Sequence, residues 1–399
     1  MNTKQQKPQP DVIIIGAGAA GLICAIEAGK RGRKVLLLEG SRKAGNKIRM
    51  SGGGRCNFTN YEVSADQYLS QNRHFVKSAL SRYTQWDFLA LVQQYQIPFR
   101  ERDHGQLFCD DSAKDILDML LKECQQNGVQ IIFKQNITQI KYISENNYQI
   151  DTENESWQSN ALVIATGGLS IPTAGASPLG YKIAEQFEIC VLPPTAGLVP
   201  FTLQPDDKEI FAPLSGIAID AVVSCNDQSF HENLLFTHRG LSGPVILQIS
   251  NYWNSGDAIT VDFLPSTDVV LQIKDVLKSH PKQQLKTYLT SLLPQRLVIA
   301  LIPSELAEIP LNQLSDKQLQ KVQYYLKHWS FKPAGTEGYR VAEVTKGGVD
   351  CNAVSSKTFE AKSKAGLYFI GEVLDVTGWL GGYNLQWAWS SGWCAGQYV

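Results

Sequence analysis

The sequence predicts an α/β fold: a parallel sheet covered by helices, opened midway by an inserted β-rich segment and a small helical one. Three observations carry this. Residues Val12 to Gly21 read Val-Ile-Ile-Ile-Gly-Ala-Gly-Ala-Ala-Gly, an apolar strand running into a glycine-rich turn. A second apolar run, Val35-Leu36-Leu37-Leu38, ends in Glu39, 23 residues beyond Gly16. After Pro193-Pro194 the pattern changes to short alternating strands, then to Lys-, Gln- and Leu-rich helical spacing. The first two features together are the signature of a Rossmann-type dinucleotide-binding unit.

Each part of the turn has a physical role. Gly16 permits the tight bend, Gly18 lets the backbone approach a pyrophosphate, and Gly21 lets the next helix pack close on the strand. Ala19 and Ala20 complete the turn. The helix from Leu22 to Lys30 then points its N-terminus at the phosphates, where free N–H groups and the helix dipole favour negative charge. Glu39, at the tip of the second strand, can accept bonds from both ribose hydroxyls and would repel a 2′-phosphate. A membrane helix is the rival reading, because residues 12 to 29 are apolar apart from Glu27. Four glycines and an acid in that window argue against it, and no other stretch approaches the ~20 apolar residues a span needs.

The chain has 399 residues, enough for two or three domains with their own cores. A hydrophobic content of 43% and a net charge of -1 describe an ordinary globular protein without a global field for nucleic acid. The eight cysteines are never closer than 15 positions, so no pair has zinc or dithiol spacing and no metal is expected. Scattered thiols fit a reducing compartment. The polar stretch Met1 to Pro10 leads directly into the first strand, so no signal peptide is expected. These features together suggest a cytoplasmic protein.

Beyond Glu39 lies a loop of unusual content, Lys43 to Asn60, containing Lys47, Arg49, Ser51, Gly52, Gly53, Gly54, Arg55, Cys56 and Asn57. Residues 66 to 97 read as helical, and Lys114 to Gln126 repeats the pattern, ending at Asn127-Gly128. Val129 to Phe133 reads as a strand, and Ile137 to Trp157 as a hairpin or meander around Asn146-Asn147. Leu162 to Ala165 reads as a buried strand opening into Thr166-Gly167-Gly168. Alternation from Leu198 to Phe263 is interrupted by Phe236 to Pro244, a turn and helix start in which Ser242 can cap and Pro244 is tolerated. Roughly three helices follow in 268 to 330, broken at Pro281, Pro294 and Pro303. Tyr339 to Thr345 and Leu367 to Ile370 return to strand. The densest motif, Gly371 to Trp389, closes the chain with a helix from Leu385 to Ala395. The expected layout is a nucleotide-binding domain of residues 1–193 and 346–399, a barrel-like β-rich domain of 194–267 and 331–345, and a helical domain of 268–330. Such an insertion is expected to leave a cleft where it meets the sheet.

The chain resembles the bacterial BaiN-like (YhiN-type) family of FAD flavoproteins, which is related to aminoacetone oxidase. The stretches that carry the resemblance are Gly16 to Gly21, Gly45 to Asn60, Ala165 to Gly168, Phe236 to Pro244, Glu343 to Val349 and Gly371 to Gln386. Its C-terminal part also looks like fumarate reductase flavoproteins. Those carry a His at the position of Glu343, a departure that argues against fumarate-type chemistry. The resemblance implies FAD, where the nucleotide motif alone allows NAD, and a glutathione-reductase-like FAD domain. It implies a backbone contact from Ile137 to adenine. It also implies ribityl contacts from Gly371-Glu372, with Asp375 the rival carboxylate.

With FAD in place, Gly52 to Gly54, flanked by Ser51, Cys56 and Asn57, could lie against the isoalloxazine or ribityl chain. Lys43, Lys47, Arg49 and Arg55 could offset the pyrophosphate charge or form a solvated basic loop. Ala165, Thr166 and Gly167 would lie under the cofactor. Gly381-Gly382-Tyr383-Asn384-Leu385 would aim a helix N-terminus at the flavin pyrimidine edge, where negative charge develops on reduction. Cys56 has no nearby Cys and reads as a buried small residue instead of a redox thiol.

His238, Arg239, Glu343, Lys346 and Tyr383 are candidates for catalysis; each also has a plain structural reading. No second G-x-G-x-x-G follows a strand, so a nicotinamide reductant such as NAD(P)H must share the cleft, or electrons must come through a redox partner. The expected function is FAD-dependent oxidation of an amine or reduction of an activated C=C bond in a small organic substrate, without nucleic acid or membrane. A flavin-binding regulatory module is the alternative, and a flavin-dependent RNA-modifying enzyme using the Lys-rich helices a weaker one.

Overall fold

A computed structural model describes residues 9–399; the expectation for Met1 to Pro10 falls almost wholly outside them. The chain forms two compact units. The first runs through Ala196 and resumes at Glu343, and the second is Gly197–Ala342.

The first unit is built on a five-stranded parallel sheet. Its centre is β1 (Val12–Ile15), flanked by β2 (Val35–Leu38) and by Ala161–Ile164. Gln130–Ile132 lies beyond β2, and Leu367–Phe369 beyond Ala161–Ile164. Registers are in step: Val12 pairs with Val35 on one side and Ala161 on the other. The three central strands are fully buried, as expected when helices cover both faces of a parallel sheet. The antiparallel meander Ile137–Ser144, Asn147–Thr152 and Ser156–Ser159 supplies the crossover.

α1 (Ala19–Lys30) and the last helix, Tyr383–Gly396, pack against each other. Small residues set their closeness: a Cβ on Gly392 would sit 2.4 Å from the Ala20 carbonyl oxygen, and one on Gly396 2.6 Å from Glu27 Cβ. Arg31 donates to the Gly396 carbonyl at 2.9 Å, closing the C-terminal end of that last helix.

Several elements differ from the sequence expectation. The single helical stretch 66 to 97 is a 3₁₀ turn, the short strand Tyr68–Leu69, and helices Phe75–Arg82 and Gln85–Gln94. Capping boxes at Ser64/Gln67 and Thr84/Asp87 start new elements there. Strand Val344–Val349 begins five residues later than Tyr339, and the last helix starts at Tyr383, two residues before Leu385.

In the second unit, seven antiparallel strands run in the linear order Trp329–Phe331, Ile259–Asp262, Ala218–Cys225, Gln228–Phe236, Gly240–Ser242, Phe201–Thr202, Gly335–Thr336. Ser242 lies in a strand, and Gly243 (φ 91) occupies the N-cap of Pro244–Ser250 in its place. Five helices occupy 268–330, not three, because Pro294 and Pro303 stand at N-caps and start helices. One core serves strands and helices alike, with Phe236 and Ile259 in the same cluster as Leu285, Leu297 and Val322.

Candidate functional site

The three motif glycines take three different environments. Gly16 (φ +109) has no room for a side chain, since a Cβ would lie 2.4 Å from the Ala165 carbonyl oxygen. Gly21 packs on the turn itself, 2.0 Å from the Gly16 carbonyl oxygen by the same measure. Around Gly18 nothing lies within 4 Å of that position. Gly18 is also the N-cap of α1, without a side-chain cap, so the first N–H groups of the helix have no capping side chain there. An open backbone edge at a helix N-terminus is a ready anion site.

Glu39 stands at the tip of β2, half-buried. Its two carboxylate oxygens accept from Ala17 N (2.8 Å) and Ser41 N (2.8 Å), which fixes the side chain beside the turn. Gln135 N donates to the Glu39 carbonyl (2.9 Å), so the backbone leading into Ile137 runs alongside. Lys43 is exposed on the neighbouring loop.

Lys47 and Glu372 meet each other. Lys47 Nζ lies 2.7 Å from Glu372 Oε2 and 2.8 Å from Ser170 Oγ. The other Glu372 oxygen accepts from Thr345 N (3.0 Å) and Ser170 Oγ (3.1 Å). Thr345 Oγ1 in turn accepts from Leu169 N and Ser170 N, at 2.8 and 3.1 Å. Four separate segments are thereby tied together at the C-terminal edge of the sheet. The sequence motifs did not single out Ser170 or Thr345, although each lies in or beside a matched stretch. Asp375, the rival to Glu372, is buried and accepts from Gln71 N at 2.8 Å, holding the turn around Ser70. Burial pushes its carboxyl above the usual range against the pull of those donors.

α2 (Asn46–Gly54) is helical only at its start: Ser51 turns extended and Gly52 and Gly53 take φ of 57 and 64. Gly52 is tight, 2.7 Å from Asn57 N and the Phe108 ring for a built Cβ, whereas Gly53 and Gly54 face open space. Cys56 (φ 49) is fully buried, and burial drives its thiol far above the ordinary range. The Asn57 and Gln106 side chains hydrogen-bond at 3.0 Å. Met50 and Arg55 are exposed, Arg49 is half-buried, and Thr166 Oγ1 is buried without a hydrogen-bond partner.

At the last motif, Gly371 (φ 72) donates to Ser391 Oγ and accepts from Trp387 Nε1. Gly381 accepts from Asn60 Nδ2, and Asn384 clamps the Gly378–Trp379 turn through three hydrogen bonds. Gly382 (φ 94) caps the final helix, and a Cβ there would lie 2.4 Å from the Thr59 carbonyl oxygen. Its need for glycine comes from a strand, β3 (Asn57–Asn60), before any cofactor is considered. Leu385 is half-buried in the first turn.

The catalytic candidates fall in both units. His238 and Arg239 are exposed in a turn of the second unit, where Arg239 pairs with Glu337 at 3.1 Å. In the first unit, Glu343 is exposed and Lys346 half-buried, and burial lowers the Lys346 ammonium below its ordinary range. Tyr383 is buried, its ring edge-on to Tyr68. Among the described residues, no group of three or more His, Cys, Asp or Glu could hold a metal ion. None of their helices is long and apolar enough to cross a membrane.

A family model described as the HI0933-like protein Rossmann domain matches residues 10–398. The chain belongs to this HI0933-like family. The HI0933-like chain is 52% identical over 391 residues to the ribosomal RNA dihydrouridine synthase of Escherichia coli (strain K12), covering 97% of each. It is 29% identical over 406 residues to the 3-dehydro-bile acid delta(4,6)-reductase of Clostridium scindens, covering 96% of this chain and 97% of the relative. Among solved structures, it is similar in fold to the 3-ketosteroid-delta4-(5alpha)-dehydrogenase of Rhodococcus jostii RHA1. That match has TM-score 0.52 and 11% identity, and covers 99% and 98% of the two chains. The HI0933-like chain is an FAD-dependent oxidoreductase with a Rossmann-type FAD-binding unit.

Its residues fit that cofactor. The α1 N-terminus with the open edge at Gly18 suits the pyrophosphate, and Glu39 the ribose. The unpartnered Thr166 hydroxyl and the open faces of Gly53 and Gly54 suit the remainder.

Proposed function

We propose that this protein reduces the C5=C6 bond of uridine in ribosomal RNA, giving dihydrouridine. One observation carries the reading: 52% identity, over 97% of both chains, with a relative named for that reaction. The bile-acid relative is likewise named as a reductase, which supports the C=C side of the sequence expectation over amine oxidation. The proposal departs from the expectation of a small substrate without nucleic acid. Net charge is a weak guide to such a partner, because it averages over a whole surface while RNA reads a patch.

When bound, FAD would supply the hydride chemistry that such a reduction needs. The chain's own groups do the rest. Gly18 and the α1 N-terminus would hold the pyrophosphate, and Glu39 would orient the ribose through oxygens already aimed by Ala17 N and Ser41 N. Glu372 fixes Lys47, so that a cation sits at the sheet edge in one place. Reduction also needs a proton at C5, and we assign it to Lys346 Nζ. Strand Val344–Val349 carries Thr345 toward the Glu372 network and Lys346 on the opposite pleat. An ammonium made more acidic by burial is a better donor.

The test is formation of dihydrouridine, read by mass spectrometry, in protein-free ribosomal RNA incubated with the holoenzyme and NADH or NADPH. No dihydrouridine under either donor ends the proposal. For Lys346, the protonated form is required, so activity is present below its lowered pKa and lost as pH rises through it. Lys346→Arg should abolish that alkaline limb at reduced rate; an unchanged limb removes Lys346 from the role.

A further inference from the structure

The helix Asp316–Lys327 begins at a complete capping box, Ser315 with Gln318, and buries Leu319, Val322 and Leu326 in the core of the second unit. The opposite stripe presents Lys317, Gln320, Lys321 and Tyr324, spaced i, i+3, i+4 and i+7. Tyr324 is 61% exposed, and the His328 ring lies 5.7 Å from its own at 31°. Three lysines of the unit are held by acids: Lys278 by Asp275, Lys286 by Glu308 and Lys327 by Asp262. Among the described residues, Lys317 and Lys321 make no ion pair or hydrogen bond, and the helix carries one acid, Asp316, at its start. Two unpaired cations beside an exposed tyrosine form an uncompensated basic and aromatic strip.

We propose that this strip is an RNA-docking face: Lys317 and Lys321 each take a backbone phosphate, and Tyr324, steadied by His328, stacks on an unpaired base. The proposal rests on the RNA substrate inferred above. Its chemistry is that of single-stranded or looped RNA, where cations track phosphates and aromatic rings stack on bases without reading sequence. The two lysines lie about 6 Å apart along the helix, at 1.5 Å per residue.

The experiment measures binding of protein-free ribosomal RNA to FAD-loaded full-length protein against salt concentration, with dihydrouridine formation alongside. Lys317→Gln/Lys321→Gln should flatten the log–log salt slope by roughly 1.5, since each phosphate contact contributes ~0.7–0.9. Tyr324→Ala should weaken binding about tenfold, and Tyr324→Phe should bind like the wild type, because stacking needs the ring and not the hydroxyl. FAD content and flavin reduction by NADPH should be unchanged in all three. A double-lysine variant with the wild-type salt slope overturns the docking face. So does wild-type binding of naked RNA by the variants with loss of modification only on ribosomal particles, which would mark a protein contact. Wild-type protein that neither binds ribosomal RNA nor forms dihydrouridine rejects the proposed function instead.

Discussion

Glu39 does two jobs at the level of a single residue. Its oxygens hold Ala17 N and Ser41 N, and the second job, accepting from the FAD ribose, is the one we propose. Glu39→Ala is expected to lower FAD affinity by roughly 10- to 100-fold, from the loss of charge-assisted bonds. It should also destabilise the apoprotein by about 1–3 kcal/mol, because two backbone donors lose their acceptors. Fluorescence titration of FAD and apoprotein melting separate the two effects, and unchanged affinity would release Glu39 from the ribose. The cysteines give a second expectation. Burial raises the thiols of Cys56, Cys24 and Cys351 far up and those of Cys109 and Cys124 to about 12, while Cys190 is exposed. Iodoacetamide at pH 8 should therefore label the native protein rapidly at Cys190, with Cys56 labelled only after unfolding. Glu39 was legible in the sequence because its place at a strand tip is set by local geometry. Ser170 and Thr345 were not, because they meet across 175 positions and no local pattern marks that contact.

Helices and strands show the same divide between local and distant causes. The strands β1 and β2 were legible as uninterrupted apolar runs, and the Asn127-Gly128 stop as a C-terminal signal: Gly128 has φ 70. The broken stretch 66 to 97 was misread because helical spacing outweighed two capping boxes that were present in the sequence, at Ser64 and Thr84. Glycines of the last helix carry a further expectation. Gly392→Val should destabilise the fold by at least about 1–3 kcal/mol, since the side chain meets the Ala20 backbone and not a flexible neighbour. Gly382→Ala should act likewise, combining a positive φ with the Thr59 carbonyl. Denaturant midpoints measure both, and a Gly382 variant of wild-type stability with altered flavin potential would return that residue to the cofactor.

Across the whole molecule, two separate hydrophobic clusters exist, one containing Val12 to Val399 residues of the first unit and the other Phe201 to Phe331 of the second. Calorimetry should resolve two transitions, and FAD should raise only the one that belongs to the first unit. At 100 times its dissociation constant the ligand contributes about 2.7 kcal/mol. A single transition that shifts as a whole would show the units to be one cooperative body. The change of periodicity after Pro194 made the insertion legible. The sharing of one core by its strands and helices was not, because that depends on which faces meet.

The strand Leu367–Phe369 and the helix Tyr383–Gly396 belong to the same unit as Val12, yet a ribosome delivers them last. During synthesis the second unit, contiguous in sequence, has all its strands and helices before the first has its edge strand. The excursion can therefore fold while its host waits, reversing the usual N-terminal-first order. Until residue 396 emerges, the small-residue face of α1 is bare, and the nascent turn at Gly16 lacks the Gly371 loop that packs on Ala20. Capture of the flavin is thus expected late, and a chain cut short after the insertion, which carries the turn at Gly16 but not the C-terminal segment, should fail to retain FAD on gel filtration.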